Sequence, residues 1–79
     1  MIDESFATVL RRLRTEKGLS QEEFGFEADL HRTYVSQLER SLKSPSLKTL
    51  HRIAGVLEIS LTDLMALVEQ EERNVQSDQ

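Results

Sequence analysis

The sequence predicts an all-α domain of five short helices. Three observations lead there. Apolar residues recur at spacings of three and four in successive segments, the period of a single helical face. Serines stand directly ahead of several of those segments, where an N-cap belongs. No stretch alternates apolar and polar residues convincingly enough to read as a strand.

The first helix is expected over about residues 6–17. Phe6, Val9, Leu10 and Leu13 form its stripe, Ser5 would cap it, and Gly18 would end it in a left-handed conformation. The second begins at a capping box: Ser20 is followed three residues on by Glu23, so each side chain can bond the other's backbone N–H. It covers about 21–28. The third covers about 32–40, with Val35 and Leu38 inward. Pro45 lies in the loop SLKSPS because it suits the approach to a helix and not an interior. Ser46 caps a fourth helix, about 47–57, with the stripe Leu47, Leu50, Ile53, Ala54 and Leu57. Ser60 caps a fifth, about 61–71, with Leu61, Leu64, Met65 and Val68 on one side. Residues 1–72 read as a single domain, and 73–79 as a polar, frayed tail.

A chain of 79 residues without cysteine has no disulfide framework and no thiolate metal site. No apolar run approaches the roughly 20 residues that span a bilayer, and MIDESF is no signal peptide, so a cytoplasmic location without membrane contact is expected. The net charge of −4 is unevenly spread. Residues 1–57 hold nine Lys/Arg against eight Asp/Glu, whereas residues 58–79 hold one against six. The acid therefore gathers at the C-terminal end, and a local basic face remains available.

The segment SQEEFGFEADLHRTYVSQLER, residues 20–40, is two short helices joined by a tight turn. Its second helix presents Arg32, Thr33, Ser36 and Gln37 together. Arg32 can bond guanine O6 and N7 in bidentate fashion, Gln37 can do so with adenine N6 and N7, and the Thr33 methyl can meet a thymine methyl. The bland alternative is an ordinary solvated helix face. Tyr34 has two readings, a hydroxyl on a phosphate or an aromatic ring packed on the following loop. His31 and His51 read as capping or surface residues, with no carboxylate constellation around them to suggest a metal site. Phe26, two residues after Phe24, cannot share its helix face. It is expected to pack under the N-terminal arm, with a protein contact as the other choice.

LRRLRTEKGLSQEEFG, HRTYVSQLER, PSLKTLHRIAGVLEIS and LTDLM, in this order and at these distances, resemble the lambda-repressor/Cro-like helix-turn-helix family, also called the XRE family. The likeness covers about residues 6–67. It implies a compact five-helix DNA-binding domain whose second and third helices form the helix-turn-helix. It places Arg32, Thr33 and Gln37 among base-reading residues, with Ser36 beside them. It implies that Gln21 anchors a DNA phosphate and braces the recognition helix, that Arg40, Lys43 and Ser44 lie along the DNA backbone with Tyr34 near it, and that Arg14 and Glu39 form a structural ion pair. Asp29, Ser41 and Glu58 stand where the family often has glycine.

The family's habit of binding (pseudo)palindromic operators as two-fold dimers implies a homodimer on double-stranded DNA. Its interface is expected along the fifth helix, with Val56, Ile59, Leu64, Leu67 and Val68, while Leu61, Leu64 and Met65 also serve the core. The expected mechanism is steric: the dimer blocks RNA polymerase or contacts it, depending on where the operator lies. No cofactor and no small-molecule effector are expected. The HRTYVSQLER block and the small size resemble the controller proteins of restriction–modification systems. An antitoxin or antirepressor that binds a protein partner is the alternative. No nucleophile–base pair, phosphate loop or metal-ligand cluster suggests an enzyme.

Overall fold

The chain folds as α1 (Ile2–Glu16), α2 (Gln21–Ala28), α3 (Arg32–Glu39), α4 (Leu47–Leu57) and α5 (Leu61–Ser77). The computed structural model describes residues 1–77, Ser77 by its backbone alone, and no strand occurs among them. The helix starts follow from side-chain chemistry. In α2 the Ser20 hydroxyl accepts from the Glu23 N–H at 3.0 Å, and the Glu23 carboxylate accepts from the Ser20 N–H at 2.9 Å. Ser46 and Ser60 accept from Thr49 and Asp63 N–H groups and so cap α4 and α5.

The helix ends repeat one device. After α1, α2, α3 and α4 the chain turns left-handed at Gly18, Asp29, Ser41 and Glu58, with φ between 58° and 74°. The next residue's N–H then bonds a carbonyl five residues back: Leu19 to Arg14, Leu30 to Gly25, Leu42 to Gln37 and Ile59 to Ala54. This is the Schellman motif, in which that next residue is commonly apolar and packs back on the helix. Leu19, Leu30 and Ile59 do pack against the core, whereas Leu42 is exposed. Three of the four left-handed positions carry a side chain, a cost of about 1 kcal/mol each relative to glycine.

Phe24, Leu10, Leu38, Ile53, Leu64, Val9, Val35 and Val68 are fully buried and form the centre. Gly25 lets α2 approach the turn that follows it. A Cβ there would lie 2.4 Å from the Leu30 carbonyl oxygen, a contact that no side-chain adjustment could relieve.

Several expectations are corrected. α1 starts at Ile2, four residues early, because Asp3 and Glu4 favour a helix N-terminus through its dipole and because Ser5 faces the interior. Leu47 is 71% exposed and not part of the α4 stripe. α5 runs on to Ser77 beside α1. Glu71 bonds Arg12 at 3.3 Å, and Val75 lines one hollow with Ser5 and Thr8 of α1. Residues 73–77 are thus helix rather than frayed tail, and 78–79 lie outside the described residues. Leu64 and Val68 are fully buried within the monomer, so they are core and leave no surface for a partner. Phe26 is 87% exposed and does not pack under an N-terminal arm.

Candidate nucleic-acid interface

The recognition element is built from its buried side outward. Val35 and Leu38 fix which face of α3 turns inward. The opposite face then carries Arg32 and Thr33 exposed, with Ser36 and Gln37 half-buried. His31 starts the helix: its ring Nδ1 accepts from the Thr33 N–H at 3.0 Å, which makes it a cap. Between this face and the start of α2 lies an open cleft of about 560 Å³, lined by Arg14, Ser20, Gln21, Glu22, Arg32, Thr33 and Ser36.

The C-terminal end of α3 is pinned. Arg14 donates from Nε and Nη2 to the two carboxylate oxygens of Glu39, at 2.6 and 2.9 Å, and from Nη1 to the Leu19 carbonyl at 2.8 Å. The Glu39 side chain is 3% exposed. Gln21 Nε2 donates to the same carboxylate at 3.1 Å. The hydrogen bond to Glu39 raises the Arg14 pKa above its ordinary value, against a smaller opposing effect of burial. α1, α2 and α3 are thus joined at one buried charge pair.

Arg40, Lys43 and Ser44 are exposed in the segment after α3. The Ser44 hydroxyl donates to Asp3 Oδ2 at 2.7 Å, so an acidic side chain of α1 holds this loop. Tyr34 is half-buried and packs against the core cluster. Arg32 Nη1 meets Glu22 Oε2 at 3.4 Å with both side chains largely exposed, a loose pair.

The sequence model of the Helix-turn-helix family matches residues 10–64. The chain belongs to this family. Its fold is that of the lambda-repressor-like, XRE-type regulators. Among curated relatives it is 42% identical to Control protein C.MunI of a Mycoplasma species, over 84% of this chain and 90% of that one. It is 39% identical to Control protein C.BamHI of Bacillus amyloliquefaciens, over 76% and 75%. Among solved structures, the restriction–modification controller protein C.Esp1396I, as a tetramer in complex with its natural 35-base-pair operator, aligns with a TM-score of 0.82 and 30% identity, covering 90% of this chain and 93% of that chain. The clp gene regulator ClgR of Corynebacterium glutamicum aligns with a TM-score of 0.86 and 25% identity, over 99% and 85%. The chain is accordingly a helix-turn-helix transcriptional regulator.

The structure brings Gln21, Arg32, Thr33 and Ser36 to one cleft that Arg14 also lines, with Glu39 bonded to Arg14. Of the residues expected at a dimer interface, Val56, Ile59 and Leu67 keep partial exposure. Contacts missed from sequence include Glu22 with Arg32, Asp3 with Ser44, and Lys17 with Glu58 at 2.9 Å. The last two join residues 41 apart, and no local pattern announces them. Among the described residues, no group of three His, Cys, Asp or Glu could hold a metal ion, and no helix is long and apolar enough to cross a membrane.

Proposed function

We propose that this regulator works in the cytoplasm as a homodimer on a (pseudo)palindromic operator, and that the operon it controls encodes a restriction–modification system. The observation that carries the reading is the exposed polar face of α3 held on a rigid, charge-paired base. Arg32, Thr33, Ser36 and Gln37 read base edges; Gln21, Arg40, Lys43 and Ser44 position the DNA backbone, with Tyr34 contributing from its half-buried site. Controller proteins among the relatives support the choice of operon. Bound beside a promoter, the dimer blocks RNA polymerase or recruits it, according to the position of the operator.

Val56, Ile59 and Leu67 form the partly exposed apolar surface that a second copy would cover. Leu67→Arg is expected to shift the protein toward monomer in sedimentation at micromolar concentration, and an unchanged profile would remove Leu67 from the interface. The function itself is tested by selecting bound sequences from a random duplex pool. The expected product is a two-fold-symmetric motif with half-site centres about 34–36 Å apart. Exposed Phe26 favours a second reading, a module that binds a protein partner. No enrichment from folded, dimeric protein would turn the assignment to that reading.

A further inference from the structure

Glu39 is placed to do more than close an ion pair. It is nearly buried, and its carboxylate receives Gln21 Nε2 at 3.1 Å in addition to two bonds from Arg14. A carboxylate at neutral pH accepts and never donates. The Gln21 amide must therefore turn its nitrogen, not its oxygen, toward Glu39. That nitrogen carries a second N–H, which no bond within the described residues uses. Gln21 lines the open cleft beside α3, next to Thr33 and Ser36. An anion approaching that cleft meets an amide already set as a donor. Arg14 makes the arrangement tolerable, since its two bonds neutralise the negative charge that Glu39 would otherwise hold close to an incoming phosphate.

We infer that Glu39 is a positioning residue for DNA binding: it fixes the polarity of the Gln21 amide so that its second N–H is held ready for a backbone phosphate, and Arg14 cancels the charge that this orientation requires. The inference rests on the DNA-binding reading above. It adds that the pair acts on affinity through Gln21, separately from its effect on folding.

Glu39→Gln keeps the shape but can accept through one atom and donate through the other, so the Gln21 amide loses its enforced direction. Gln21→Ala and Glu39→Gln are each expected to weaken binding to the pool-selected duplex roughly tenfold or more, the worth of one hydrogen bond to a charged group. The double variant should be no weaker than the weaker single one, with folding checked by circular dichroism at the assay temperature. Multiplying effects would overturn the inference. The wild-type protein supplies a second readout that needs no variant. In nuclear magnetic resonance, the two side-chain amide protons of Gln21 should be distinct, and adding the selected duplex should move one while the Glu39-bonded proton stays. Movement of both, or of neither, overturns it. If the wild type selects no duplex from the pool, the DNA-binding reading fails first and is seen to fail separately.

Discussion

The two ends of α3 are built on opposite principles. At the C-terminal end, the Glu39 side chain is 3% exposed and held by three side-chain donors from two other helices. At the N-terminal end, Arg32 is two-thirds exposed and meets Glu22 at 3.4 Å, across the solvent. One eight-residue helix carries both the clamp and the free edge. Stability is located at the buried end, and on the proposed DNA-binding reading recognition at the exposed one. The buried end sets the position of the helix; the exposed end can exchange Glu22 for another partner at little cost, since exposed pairs contribute about 0–1 kcal/mol.

The largest effect should come from cutting the clamp. Arg14→Ala leaves the Glu39 charge buried and unpaired, which costs about 3–5 kcal/mol. For a domain of this size, with total stability of roughly 4–12 kcal/mol, much of the folded population is lost. A chemical denaturation midpoint equal to that of the wild type would show that the pair does not hold the helix. Replacing both partners, Arg14→Met with Glu39→Met, separates the two roles. A packed apolar pair is often as stable as the ionic one, so folding should recover while operator affinity does not.

Next comes the joint under the free edge. Gly25 lies against the Leu30 carbonyl, and a Cβ there would also sit 3.4 Å from the Arg32 N–H and from Val35 Cγ2. Gly25→Val therefore pushes on the start of α3. A destabilisation of about 1–3 kcal/mol is expected from overpacking, together with weaker DNA binding because the reading face moves. Unchanged thermal unfolding would mean that the turn opens freely.

Much of this was legible in the residues. The Ser20–Glu23 capping box, Gly18 after α1, the inward Val35 and Leu38 of α3 and the α4 stripe apart from Leu47 depend on neighbours within a few positions, and the structure realises them. The bounds of α2 and α4 follow directly. What escaped depends on distant partners. Nothing near Ser44 in sequence says that Asp3 will take its hydroxyl, and nothing near Glu71 points to Arg12. Leu64 and Val68 look like surface for a partner until α1 is seen to extend along α5 and cover them. Phe26 was misplaced for the converse reason: helical α1 leaves no loose arm to shelter it.

A smaller, more local effect tests the free edge itself. Arg32→Ala removes a base-reading candidate whose ion pair is exposed, so folding stability should stay within about 0.5 kcal/mol of the wild type. Discrimination at one base pair should fall by about 1–3 kcal/mol. Repeating the pool selection with this variant checks it: the motif should relax at that base pair and persist elsewhere. An identical motif would remove Arg32 from base reading and leave it as a solvated partner of Glu22.

The smallest effect separates two adjacent acids. Glu22 faces Arg32, whereas Glu23 turns back to Ser20. The Ser20 backbone N–H, and then its hydroxyl, hold the Glu23 carboxyl below its ordinary pKa; Lys17 does the same for Glu58, first by hydrogen bond and then by charge. A depressed folded-state value means that the charged form stabilises the fold. That contribution is complete above the unfolded value of about 4.3 and disappears as the pH falls through the folded value. Glu23→Gln should therefore melt below the wild type at pH 7, with the gap closing toward pH 3, while the selected DNA motif is unaltered. A melting difference that stays constant across that range would assign the effect to lost capping geometry alone. A changed motif would place Glu23 on the reading side of α2, and the division between clamp and free edge would no longer run between neighbouring residues.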